Sequence, residues 1–127
     1  IALVRELIGQ IPVCGICLGH QLLSLALGGT TYKMKFGHHG SNHPVIDRKS
    51  GRVFVTSQNH GFSVDPESLP EEVSVRFVNA NDDTVEGIVH TRLPLLSVQF
   101  HPEACPGPFD SLKIFDDFFT LFHEHIS

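Results

Sequence analysis

The stretch Ile11-Pro12-Val13-Cys14-Gly15-Ile16-Cys17-Leu18-Gly19 decides the fold. Ile11 to Ile16 is short and nearly all apolar, as expected of a strand buried on both faces of a parallel sheet. Gly15 to Gly19 has the form G-x-nucleophile-x-G, with cysteine in the nucleophile's place. From Leu18 to Leu27 the apolar residues 18, 22, 25 and 26, flanked by 23 and 27, form a helical stripe that Gly28-Gly29 ends. Strand, sharp turn and helix make the first unit of an α/β fold. The glycines permit a tight, strained turn, which pushes the Cys17 sulfur out at the helix N-terminus. Unpaired N–H groups and the positive end of the helix dipole suit a thiolate there. The N–H of Leu18 points to where an oxyanion would form on an attacked carbonyl.

On the N-terminal side, Ile1 to Ile8 reads as one amphipathic helix stopped by Gly9. With neither an initiator Met nor a charged-then-apolar leader, the chain reads as entered midway. On the C-terminal side, Thr30–Phe36, Arg52–Gln58, Phe62–Val64, Val73–Asn79, Val85–His90 and Leu95–Phe100 are β-favouring runs. Turn formers at Gly37–Gly40, Ser50-Gly51, Asp65-Pro66 and Asn81-Asp82-Asp83 are expected to separate them, and Gln58-Asn59-His60-Gly61 also has the composition of a hairpin turn. From Asp110, an N-cap, the positions Leu112, Phe115, Phe118, Phe119, Phe122 and Ile126 recur at helical spacing. No repeat, low-complexity tract or linker divides the chain.

At 127 residues the chain holds one ordinary domain and excludes a multidomain enzyme. Nine Lys+Arg against 14 Asp+Glu, net charge -5, disfavour a phosphate-tracking or anionic-membrane surface, so neither nucleic acid nor membrane is expected as a partner. Leu22 to Leu27, the longest mostly apolar stretch, falls far short of a bilayer span. Three cysteines are too few and too odd for a disulfide framework, so a reducing compartment, the cytoplasm, is expected.

A thiolate nucleophile needs a base, and the base an orienting group. Leu95–Phe100 runs into His101-Pro102-Glu103, where Pro102 keeps its predecessor extended and residues i and i+2 project together. His101 and Glu103 thus offer an imidazole beside a carboxylate at a strand end, where open α/β sheets place their sites. His20 is a competing base without an evident carboxylate. Cys14-x-x-Cys17 as a redox pair is disfavoured because Cys14 falls inside the apolar strand. Zinc held by Cys105 and the cluster His38-His39-x-x-x-His43 is a further rival, but no metal is expected.

Gly15-Ile16-Cys17-Leu18-Gly19-His20-Gln21 with His101-Pro102-Glu103 resembles the class I (triad) glutamine amidotransferases. Met34-Lys35-Phe36-Gly37-His38-His39-Gly40-x-Asn42-His43-Pro44, Gln58-Asn59-His60-Gly61-Phe62 and Pro102-Glu103-Ala104-x-Pro106-Gly107-Pro108 are similar to the carbamoyl-phosphate synthase small-subunit branch of that family. The resemblance runs from about Ile11 to the C-terminus and accounts for the histidine cluster as a family loop. It implies a flavodoxin-like α/β open sheet with helices on both faces, residues 1–127 being the C-terminal portion of the domain without its first strands.

Carried over by position, Cys17 is the nucleophile, His101 the base and acid, and Glu103 its orienter. Leu18 gives an oxyanion N–H, and Gln21, Asn59, Gly61 and Phe62 hold glutamine. The implied partner is a large synthetase subunit that receives ammonia and makes carbamoyl phosphate from bicarbonate with ATP and magnesium; no cofactor is expected in this chain. Runners-up are the amidotransferase components of anthranilate, GMP or CTP synthesis and a catalytically silent binding subunit. The family's earlier Gly-rich loop, a second oxyanion contact, is missing, so the isolated chain is expected to be a poor glutaminase. Cys14, Phe100 and Cys105 depart from common family residues and are expected to be packing variations.

Overall fold

The computed structural model describes residues 2–8, 10–11, 13–93, 95–100 and 120; His101, Glu103, Cys105 and the helix expected from Asp110 lie outside them. Strand β1 (Val13–Ile16) pairs in parallel with β6 (Leu95–Val98), Gly15 opposite Ser97 and Ile16 opposite Val98. Between them in sequence come β2 (Thr31–Asp47), β3 (Val53–Val64), β4 (Val73–Asn79) and β5 (Val85–His90). Their order in the sheet is β1-β6-β5-β4-β2-β3, and every described pair except β1 with β6 is antiparallel. The sheet is therefore mixed. Its parallel end carries the elbow, and its antiparallel end is a long two-stranded ribbon.

Helix α1 (Ala2–Leu7) and helix α2 (Leu18–Ala26) meet where Arg5 Nε donates to Ala26 O at 3.2 Å. Gly28 ends α2 at φ 97, a left-handed conformation that glycine adopts without a side-chain clash, and the Gly29 N–H returns to Ser24 O at 2.9 Å. Among the described residues no helix is long and apolar enough to cross a membrane.

Two apolar clusters form the core. One holds Val45, Phe77, Leu96, Val98 and Phe100, with Ile16 and Val89 against it; the other holds Val64, Val73, Val85 and Ile88, with Leu27, Leu69 and Val75. Consecutive Ile88 and Val89 belong to different clusters, so the two lie on opposite faces of the sheet, with Leu27 at the end of α2 against one of them. Phe100 is wholly buried and meets Phe77 edge to face at 5.6 Å, which makes it a packing residue as expected.

Two expected turns are absent. Gly37–Gly40 and Gln58–Gly61 run through the interiors of β2 and β3, pairing His38 with His60, His39 with Asn59 and Gly40 with Gln58. Register shifts between Lys33 and His38 and between Gly40 and His43 absorb the irregular backbone, where Gly37 and Gly40 take φ 69 and φ 95. Glycines at positive φ here bend a strand instead of reversing it, because the partner strand satisfies the neighbouring backbone groups. The reversal lies at the expected Ser50-Gly51, where Gly51 has φ 76 and its N–H donates to Asp47 O at 2.7 Å.

Candidate functional site: a cysteine elbow bridged to the ribbon

Cys17 sits at φ 56, ψ -108, outside the conformations a side chain ordinarily tolerates. Such a backbone costs about 1–3 kcal/mol and persists only where its surroundings enforce it. Its N–H donates to Val98 O at 2.8 Å, which ties the turn to β6, and α2 begins at the next residue. A Cβ on Gly15 would stand 2.6 Å from Leu23 Cδ1 and 2.7 Å from Gly19 O, so Gly15 is what lets β1 and α2 close on each other. Gly19 is different: nothing lies within 4 Å of a Cβ built there, so the turn does not need it. Leu18 is 66% exposed beside the half-buried Cys17, which leaves the elbow open.

A side-chain bridge joins this elbow to β3. Gln99 Nε2 donates to Cys17 Sγ at 3.7 Å, while Gln99 Oε1 accepts from Gln21 Nε2 at 2.9 Å. Gln21 Nε2 also donates to Phe62 O at 3.1 Å. Gln21 and Phe62, both expected to hold substrate, thus meet, and Gln99 connects Gln21 to Cys17. Asn59 and Gly61 lie on the same strand; Asn59 Oδ1 is 2.7 Å from His39 Nδ1, and no atom lies within 4 Å of a Cβ built on Gly61. Gln99 was not singled out from sequence. Its signal was there: Ser97 and Gln99 interrupt an apolar run, and both are wholly buried.

His20, the competing base, is wholly buried with Nδ1 2.6 Å from Ser97 Oγ. Burial, helped by His60, lowers it to about 3, so it stays neutral and in the core. Cys14 is paired opposite Leu96, and burial raises its thiol; Cys14 and Cys17 are both free. The histidines near residue 40 stay close, the His38 and His43 rings at 5.0 Å, but their ring nitrogens take different partners. His43 Nε2 is 2.7 Å from His39 O and His39 reaches Asn59, whereas His38 turns inward to His60 and Glu86. Burial, partly offset by the Phe62 carbonyl, lowers His60 to about 4. Burial raises the carboxyl of Glu86 to about 8.

A strained cysteine between a buried strand and a helix, bridged to a ribbon that carries amide and glycine residues, defines a class of protein. Residues 1–121 match the glutamine amidotransferase class-I family, and the chain belongs to it and has its mixed α/β open-sheet fold. Among curated relatives, it is 60% identical over 123 residues to the carbamoyl phosphate synthase small chain of Methanopyrus kandleri, covering 96% of this chain and 34% of that one. It is 58% identical over 116 residues to the carbamoyl phosphate synthase arginine-specific small chain of Bacillus subtilis, covering 91% and 33%. A solved glutamine amidotransferase of Thermotoga maritima superposes with a TM-score of 0.68 at 26% identity, over 99% of this chain and 55% of that one. The chain spans about a third of the length of the curated relatives it matches.

Proposed function

We propose that residues 1–127 are the C-terminal portion of the amidotransferase domain of a carbamoyl-phosphate synthase small chain. In this reading the domain hydrolyses glutamine and passes the ammonia to a large subunit. The observation that carries the catalytic part is the backbone of Cys17, a non-glycine residue held at φ 56 between β1 and α2, because strain of this kind is retained where a nucleophile must project. The names of these relatives support the particular enzyme, and over some 120 residues their identity is too high for a likeness of fold alone.

The Cys17 thiolate attacks the side-chain amide carbon of glutamine, and the carbonyl electrons move onto oxygen, toward the N–H of Leu18. The tetrahedral species collapses as His101, oriented by Glu103, gives a proton to the nitrogen. Ammonia leaves and a γ-glutamyl thioester remains. His101 then takes a proton from water, the hydroxide attacks the thioester, and glutamate and the thiolate are released. Gln21, Asn59, Gly61 and Phe62 hold the amino-acid end of the substrate. Gln99 orients both the sulfur and the Gln21 amide.

The partner large subunit supplies the ATP and magnesium chemistry that turns bicarbonate and ammonia into carbamoyl phosphate, a precursor for arginine and pyrimidine synthesis. The cytoplasm is the compartment this reading assigns, since it keeps Cys17 a free thiol. The test is labelling of the full-length protein with a glutamine-mimicking electrophile, followed by peptide mapping and a glutaminase assay. Modification at Cys17 with loss of glutamate release is expected. Modification at Cys14 or Cys105 with Cys17 untouched overturns the assignment.

A further inference from the structure

Where the ribbon meets β5, three atoms able to ligate a metal converge: His38 Nδ1, His60 Nε2 and Glu86 Oε1. His38 Nδ1 is 3.2 Å from His60 Nε2, and Glu86 Oε1 is 3.9 Å and 3.8 Å from these two nitrogens. His38 and His60 are 5% and 8% exposed and Glu86 is wholly buried. Gln58 Oε1 lies at hydrogen-bond distance from His60 Nε2, 2.7 Å, while the Gln58 amide N–H groups go to Thr56 Oγ1 and to Glu86 Oε2.

Two further observations say what belongs at this point. The outer nitrogens are already engaged: His38 Nε2 is 2.7 Å from Asp82 Oδ2, and His60 Nδ1 is 2.8 Å from Phe62 O. Both partners are acceptors, and a neutral ring that places its hydrogen on the outer nitrogen turns the lone pair of its inner nitrogen toward a cation. A carboxylate and a backbone carbonyl on the outer N–H groups are also the partners that fix metal-ligating histidines in position. In addition, Glu86 Oε1 is buried and has no hydrogen-bond partner. A point equidistant from His38 Nδ1, His60 Nε2 and Glu86 Oε1 lies about 2.1 Å from each, the length of a zinc bond to imidazole nitrogen or carboxylate oxygen.

We propose that His38, His60 and Glu86 form a buried divalent-metal site, suited to zinc by its donor set, that ties β2, β3 and β5 together. This departs from the expectation of no metal. Sequence spacing groups His38 with His39 and His43, whereas folding gives those two other partners and brings His38 to residues of two other strands. All three ligands are buried, which keeps substrate away from the metal, so the role is structural. It holds the part of the ribbon whose Phe62 carbonyl accepts from Gln21.

The test uses the full-length protein, purified without a metal-affinity tag, stripped with a chelator and titrated with cobalt(II) alone. One equivalent is expected to bind with the visible absorption of a four-coordinate nitrogen and oxygen site, to be displaced by zinc, and to do so equally in Cys17→Ser. His38→Asn and Glu86→Gln are each expected to weaken binding at least about 100-fold, and Asp82→Asn, which acts through His38, about 10-fold. Since a core variant can fail to fold, X-ray absorption on the cobalt form of the unsubstituted protein judges the site independently, with two imidazoles and no sulfur expected. The proposal falls if the folded protein takes up no cobalt saturably, if the spectrum contains sulfur, or if folded His38→Asn and Glu86→Gln bind as the unsubstituted protein does.

Discussion

The elbow and the ribbon are two ways of holding a residue where it can act. At the elbow, five consecutive residues supply the turn, and one backbone bond, from Cys17 N–H to Val98 O, fastens it to the sheet. In the ribbon, β2 and β3 pair from Thr31–Val64 to Ile46–Val53, with two register shifts, and buried polar residues fill the space behind. The elbow concentrates strain in a single residue, whereas the ribbon spreads its irregularity over many paired residues, with shared hydrogen bonds. Disturbing the first should therefore act locally and steeply, and disturbing the second should act through the network.

The sharpest way to break this comparison is Cys17→Gly. Glycine takes φ 56 without penalty, so the variant should be more stable than Cys17→Ala by about 1 kcal/mol in chemical denaturation. Glutamate release should fall by about four orders of magnitude or more. Equal stability of the two variants would mean that the elbow stores no strain.

Gly15→Ala comes next. The added methyl would stand 2.6 Å from Leu23 Cδ1 and 2.7 Å from backbone oxygen, and a loss of about 1–3 kcal/mol is expected in the same measurement. Gly19→Ala, with open space around the methyl inside α2, should instead gain about 0.5–1 kcal/mol. A destabilised Gly19→Ala would show that both glycines, and not Gly15 alone, hold the turn.

Gln99→Leu probes the bridge between the two regions. It removes the partner of both Cys17 Sγ and Gln21 Nε2, and kcat/KM for glutamine should fall about 10- to 100-fold with the fold retained. An unchanged kcat/KM would disconnect the ribbon from the nucleophile.

The smallest effect concerns His20 beneath the elbow. Its folded value, about 3, lies below the ordinary 6.5, so between those values the unfolded chain binds the extra proton. Stability is complete above about 6.5 and declines as pH falls, by up to about 1.4 kcal/mol per pH unit. Denaturation midpoints against pH should show a shallower acid limb in His20→Gln.

Legibility in the sequence followed the range of the interactions. Val13 to Gly28 could be read almost residue by residue, because an apolar run, two glycines and a helical stripe act on near neighbours. The strands from Val73 onward were legible for the same reason. Gly37–Gly40 reads locally as a turn, and Gln58–Gly61 as a hairpin turn beside its substrate-holding reading, because glycine and asparagine favour reversal only where no partner strand occupies their backbone groups. Gln99 passed as part of an apolar strand, since its partners Cys17 and Gln21 are about 80 residues away. His101 and Glu103 lie outside the described residues and rest on their motif.

By itself the sequence determined the turn at Cys17 and the family, because each depends on residue types at short fixed spacing. Only the tertiary structure decided that Gly15 and not Gly19 is sterically required. The same is true of the bridge Gln99 makes between elbow and ribbon, and of the meeting of His38 with His60 and Glu86 in place of its sequence neighbours. Those outcomes depend on which strands pair and in what register, and strand pairing is a property of the whole sheet that no local stretch encodes.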